Sequence, residues 1–247
     1  MEIKDKITNY QTGKNYVNIK VTFYLKSPLY LTSPWLNLDS IVQYLCLRDA
    51  LNEDFYNLPT HTTLNLDNLM LPIKKSYDVY HSSVGLFNIQ KVFIDKCFKR
   101  FTDKQSFKLN KKNRGRKIRV NSGYFKDYLI DLPSILTEKV DFYTCADKNS
   151  LTDLLNNLTG LGKKTSIGGG RIKEINTEIL ENDYSLYKDG VVMRPIPAQT
   201  AVDKFHIPFI EGVNISKQNY KPPYWSKTNP VLCFTPPNQL LEVLENA

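Results

Sequence analysis

Twice along this 247-residue chain the apolar residues switch from the spacing of a strand to that of a helix, and this repeated switch limits the fold more than any other feature. From Tyr16 to Leu25, Val17, Ile19, Val21 and Phe23 share one face, while Asn18, Lys20, Thr22 and Tyr24 share the other. That period of two marks a half-buried strand. A turn-rich passage from Ser27 to Trp35 follows. Leu38 to Leu51 then places Ile41, Val42, Leu45 and Cys46 at helical spacing, with Asn37 or Asp39 as the cap. Leu69 to Ile73 and Val79 to Ile89 read as short strands. The pattern returns in the last third: Lys139 to Cys145 is a strand, and Lys148 to Leu158 a helix capped near Asp147 or Ser150. Leu151, Leu154, Leu155 and Leu158 form its stripe, and Arg171 to Leu180 alternates again. Together these predict an α+β, ferredoxin-like (RRM-like) βαββαβ core. The predicted core spans about 16–95 and 139–180 of a single domain, 1–247, with an insertion at about 96–128. The Pro-rich extension at about 190–247 is expected to lie in extended segments against that core.

The insertion holds the charge. Twelve basic residues stand between Lys96 and Lys126, among them Lys111, Lys112, Arg114, Arg116, Lys117 and Arg119, against the single acid Asp103. The whole chain carries only +8, so the remainder is net acidic. A solvated surface normally intersperses both signs. A field of one sign fits phosphate, whose neutralisation releases counterions. Gly115 marks a flexible tip, and part of Phe101 to Arg119 is expected to order on RNA.

No stretch reaches the roughly 18 consecutive apolar residues of a membrane helix, so no membrane partner is expected. Met1 to Gln11 alternates charge and polarity where a signal peptide would be apolar, and the expected compartment is the cytoplasm. Cys46, Cys97, Cys145 and Cys233 lie far apart, without a C-x-x-C pair or a His at metal spacing. They read as buried free thiols, and neither a metal nor a cofactor is expected.

Gly160 to Gly170 reads GLGKKTSIGGG. It is not a Walker A loop: Asn157 stands where the first glycine belongs, and Lys164 follows Gly162-Lys163 where Ser or Thr belongs. Nor is it a dinucleotide fingerprint, because the glycines follow a helix and precede a strand, with Thr165 at the third glycine position. A helix C-cap and a β-bulge explain Gly160 and Gly162. They leave Gly168, Gly169 and Gly170 beside Lys163, Lys164 and Arg171, the composition of a backbone that approaches phosphate closely.

This loop, after its Leu-rich helix, resembles the G-loop of RAMP proteins, the RNA-recognition-like folds of CRISPR systems. Ser27-Pro28 through Leu38-Asp39 is similar to the N-terminal segment of the handle-binding ("Cas five"-like) subunit of type IV effector complexes. Tyr80 to Gly85 and Met193 to Pro197 resemble further segments of that subunit. The resemblance implies a non-catalytic subunit that grips the 5′ handle of a guide RNA beside a backbone RAMP and a large subunit. Target DNA on the PAM side is a further implied partner. It carries RNA contact onto Lys163, Lys164, Gly168, Gly169, Gly170 and Arg171, onto the arm at Lys111 to Arg119, and onto Arg194. Family members often place an aromatic between the loop glycines. Here the sequence reads Ile-Gly-Gly-Gly, which leaves Tyr124 or Phe125 as the expected stacking residue.

Some RAMPs cleave RNA without a metal, through a His paired with Tyr or Lys. His61 stands in a Thr-rich loop and His206 before a proline, so His81 beside Tyr80 is the candidate pair for that alternative. A satisfied structural histidine is the plainer reading. A RAMP-like protein that engages chiefly other proteins is the third possibility. Cations and an aromatic content of 12% suit gripping RNA through phosphates and splayed bases.

Overall fold

The computed structural model describes residues 2–58, 64–101, 121–122, 126–208, 214–224 and 230–239. In chain order the elements are α1 (Ile3–Thr8), β1 (Tyr16–Leu25), β2 (Leu29–Tyr30), α2 (Leu38–Leu51) and a 3-10 segment (Asn52–Asn57). Then come β3 (Lys75–Ser76), β4 (Val79–Tyr80), β5 (Leu86–Lys99), β6 (Tyr128–Asp147) and α3 (Lys148–Leu155). A 3-10 turn (Thr165–Ile167), β7 (Ile172–Ile179), β8 (Tyr187–Lys188), β9 (Val191–Val192), β10 (Ile196–Pro197), α4 (Ala198–Asp203), β11 (Asn214–Gln218) and β12 (Val231–Thr235) complete the chain.

The main sheet runs β7-β1-β6-β5 with antiparallel neighbours, and β2 joins β6 beyond the end of β1. The alternation of β1 turns Ile19, Val21 and Phe23 inward, opposite Val140 and Phe142 of β6. Phe23 and Phe142 meet edge to face with centroids 5.6 Å apart. Leu38, Val42, Leu45 and Leu51 of α2 and Leu151, Leu154 and Leu155 of α3 close the same core. Each such side chain contributes roughly 1.5–3 kcal/mol on full burial. The fold is therefore mixed α/β, built on antiparallel sheets.

Asp147 caps α3, accepting the Ser150 N–H at 3.0 Å, and its other oxygen accepts the Asn15 N–H ahead of β1. The helix stops at Leu155, earlier than its apolar stripe suggested, yet Leu158 still packs against the core. Leu69 to Ile73 is not a strand. Its Leu69, Leu71 and Ile73 fill the core from irregular chain, with one bridge from Ile73 to Ala146. The predicted strand from Val79 to Ile89 splits into β4 and the start of β5. Between them His81 and Ser83 still bond along β6, to Cys145 and Tyr143.

The larger difference lies in β5 and β6. They continue past the sheet as a two-stranded ribbon, from Ile94 opposite Pro133 to Lys99 opposite Tyr128. Lys139 to Cys145 is only part of a 20-residue strand. The C-terminal extension also does more than lie along the core. It forms a separate antiparallel sheet, β10-β12-β11, over a second apolar cluster that includes Val192, Ile196, Ala201 and Phe234. Three of its prolines stand at strand ends, where a missing N–H disturbs the ladder least: Pro197 ends β10, Pro230 precedes β12 and Pro236 follows it.

Candidate nucleic-acid interface

Ser27-Pro28 breaks the run of β1 into β2, and the glycine segment docks into that break. The Lys163 N–H donates to the Tyr30 carbonyl at 2.9 Å, and the Gly170 N–H to the Pro28 carbonyl at 2.8 Å. The Ser27 hydroxyl donates to the Gly168 carbonyl at 2.6 Å and accepts the Arg171 N–H at 2.8 Å. Inside the loop, Gly168 and Gly169 donate back to Thr165 and Lys164. The Leu161 N–H closes the loop on the Gly170 carbonyl.

This packing explains two of the three consecutive glycines. A Cβ on Gly169 would stand 2.5 Å from the Tyr30 ring and 2.7 Å from the Lys163 carbonyl oxygen. Gly170, at φ +56°, would press one onto the Leu161 carbonyl. Gly168 is different: φ is +97°, and nothing stands within 4 Å of an added Cβ. The predicted close approach to phosphate thus has a competing cause at Gly169 and Gly170, and only Gly168 combines a left-handed backbone with open space.

The cations flank this loop. Lys163 and Arg171 are exposed, and among the described residues neither forms an ion pair. Lys26, also exposed, bonds through its backbone to Arg171. Lys164 reaches out of the loop to Tyr128, with Nζ 5.2 Å from the ring centroid and 3.5 Å from the hydroxyl. Tyr128 pairs with Lys99, where the ribbon meets the basic stretch. Tyr30 adds a second tie to the ribbon, donating to Asp95 at 2.7 Å. The loop and the base of the basic stretch therefore form one continuous surface. Phe98 lies on the ribbon, 74% exposed, between Lys96 and Arg100.

Lys111, Lys112, Arg114, Arg116, Lys117, Arg119, Tyr124 and Phe125 lie outside the described residues, as does His61. Sequence reasoning did not single out Tyr30 and Tyr128 for the site. Their partners are 133 and 36 positions away in the chain, and the only local signal is the Ser27-Pro28 turn.

The profile of the CRISPR type IV associated protein Csf3 family matches residues 18–236 of the chain. The chain belongs to the Csf3 family. No curated protein matches it. Among solved structures it is similar to a chain of the type III-B Cmr-beta complex, determined by cryo-EM bound to cognate target RNA. The identity is 10% and the TM-score 0.38, over 72% of this chain and 64% of that one. It thus spans less than two thirds of the length of that chain.

Three sequence-predicted residues of this Csf3 family member, Arg194, His81 and Tyr80, are engaged inside the fold. Arg194 is 1% exposed, so it does not present a cation to RNA, contrary to the sequence expectation. Its guanidinium donates to Asp39 at 3.0 Å and to the carbonyls of Tyr80, Ser82 and Tyr220. It also bonds the Tyr224 hydroxyl. The arginine thus fastens the C-terminal sheet to the start of α2. Sequence reasoning missed this because Asp39 lies 155 positions from Arg194.

His81 and Tyr80 do not bond to one another through their side chains in the hydrogen bonds among the described residues. The His81 ring is 7% exposed, and its Nδ1 lies 2.7 Å from Asp183. Its Nε2 is buried and has no hydrogen-bond partner among the described residues. Burial opposes ionisation of Asp183, but the bonds from His81 and Ser185 outweigh it and hold the carboxyl below its ordinary range. Burial, with Asp39 nearby, pushes the Tyr80 phenol up to about 12, and Lys75 lies over its ring.

Proposed function

We propose that this chain is a non-catalytic RNA-binding subunit of a type IV CRISPR RNA-guided effector complex, with a ferredoxin-like RAMP core that grips the 5′ handle of the guide RNA. The observation that carries this reading is the joining of the glycine loop, with Lys163 and Arg171 exposed, to the mouth of the basic stretch through Lys164 and Tyr128. One cationic surface then runs from a tight backbone turn onto the ribbon from which the basic stretch departs, the arrangement that suits a single strand held through its phosphates. The strand order β7-β1-β6-β5, with βα units at both ends, supports the ferredoxin-like core. Burial of the His81 ring and the raised Tyr80 phenol favour gripping over cleavage, because an acid–base pair must reach its substrate. A backbone RAMP, a large subunit and PAM-side target DNA are the expected partners.

The test uses purified complexes carrying Lys163→Ala with Arg171→Ala, and separately His81→Ala. The loop pair is expected to lose guide-RNA affinity at unchanged melting temperature. His81→Ala is expected to leave guide length unaltered. Wild-type affinity in the loop pair would overturn the grip, and unprocessed precursor in His81→Ala would overturn the non-catalytic reading.

A further inference from the structure

A groove lies on the helical side of the fold, between α2, the 3-10 segment that follows it and α3. One end is a cavity of about 300 Å³ lined by Leu45, Arg48, Asp49, Glu53 and Tyr56, among others. The other end, about 230 Å³, shares Asp49, Leu154 and Asn157 with it and adds Asp153. Asp49, Glu53 and Asp153 line the groove, and among the described lining residues Arg48 is the one cation. Asp49 already accepts from the Tyr10 hydroxyl. Glu53 and Asp153 have no ion-pair partner among the described residues. The Arg48 guanidinium is committed to the Asn157 carbonyl at 3.1 Å, and it lies over the Tyr44 ring.

An aromatic ladder borders the groove, exposed at its two ends, Tyr44 and Tyr56. Tyr44, Phe55 and Tyr56 meet edge to face, with successive centroids 5.5 Å apart, and Tyr56 is 77% exposed. The chain is held in place to present them. Asn52 adopts φ +50° at the end of α2, uncommon for a residue with a Cβ, and so folds the 3-10 segment back beside the helix. Lys6 of α1 then pins that segment through Asp54 at 2.6 Å. Exposed tyrosines and an arginine beside a concave surface are the composition of protein-binding hot spots.

The sign of the lining selects the occupant. Acidic walls repel nucleic acid and attract a cationic polypeptide. We propose that this groove docks a basic segment of another protein subunit. Its Lys or Arg side chains would stand among Asp49, Glu53 and Asp153, with an apolar side chain against Tyr44 and Tyr56. The proposal rests on the reading of the chain as one subunit of a larger complex, but on a surface of opposite charge to the RNA grip.

The experiment places the photo-cross-linker p-benzoylphenylalanine at Tyr56 in the assembled complex, with 4-thiouridine in the guide handle as an independent reporter of RNA contact. The expected product joins position 56 to a Lys- or Arg-bearing peptide of another subunit. Glu53→Lys with Asp153→Lys should lower its yield roughly tenfold, as reversing rim charges slows docking, and leave the RNA cross-link intact. If that double reversal melts early, Glu53→Gln with Asp153→Asn should show a smaller loss in the same direction. Joining to RNA, joining to a second copy of this chain, or no joining while the handle cross-link persists would each overturn the proposal. Loss of the handle cross-link with position 56 still joined to a subunit would instead count against the RNA grip.

Discussion

At Gly169 a single added methyl group separates two explanations of the glycine run. The sequence singled out Gly168 to Gly170 as a place where only glycine serves, but it could not say whose atoms impose the requirement. The structure supplies Tyr30 at 2.5 Å, from a strand that is distant in the chain. Gly169→Ala is therefore expected to act on folding first, because overpacking against a ring and a carbonyl costs about 1–3 kcal/mol. Gly168→Ala meets open space and only backbone strain, of order 1 kcal/mol. Melting temperature and RNA affinity on the same preparations separate the two. Gly169→Ala should melt lower and bind in proportion to its folded fraction. Gly168→Ala should melt closer to wild type, with any affinity loss exceeding its unfolded fraction. Wild-type melting in Gly169→Ala would contradict the packing seen here. Arg194 teaches the same lesson with the opposite sign: a cation in a Pro-rich tail looks available until its fold brings Asp39 to it.

Among the elements, β1 and α3 were legible because each buries a regular apolar face, Ile19, Val21 and Phe23 in one and Leu151, Leu154 and Leu155 in the other, so period and burial coincide. The ribbon was not. Beyond the sheet, Ile94, Phe98 and Leu129 are 67–74% exposed, so apolar residues there do not mark an inner face. The charge density that begins at Lys96 suggested a loop where the strands still pair. One of the two ties between this ribbon and the glycine loop is the cation–π contact of Lys164 with Tyr128. Such contacts contribute about 0.5–1 kcal/mol at exposed sites, too little to set global stability but enough to position an element. Tyr128→Phe keeps the ring face and should retain RNA affinity, whereas Tyr128→Ala should lose part of it with near-normal melting. Equal affinity in the two variants would mean that the ribbon and loop act without this contact.

Across the whole molecule the positive charge has two seats, the loop and the basic stretch, joined by the ribbon, on a chain that is otherwise net acidic. Salt dependence measures how many phosphates each seat neutralises. Lys111→Ala, Lys112→Ala, Arg114→Ala and Arg116→Ala together remove four cations. At about 0.7 per single-strand phosphate, the slope of log affinity against log salt should then flatten by roughly 3. Lys163→Ala with Arg171→Ala removes two more, worth roughly 1.4 on the same scale. If one RNA strand lies across both seats at once, the combined variant should lose the sum of the two changes, because separated contacts release their counterions independently. If the seats hold alternative RNA segments, the stronger seat sets the slope, and the combined variant should then bind too weakly for any residual slope to exceed that of the arm variant. A slope unchanged by the four arm substitutions would make the basic stretch a solvated loop. Guide-RNA titrations across a salt series, on the same four proteins, distinguish these outcomes.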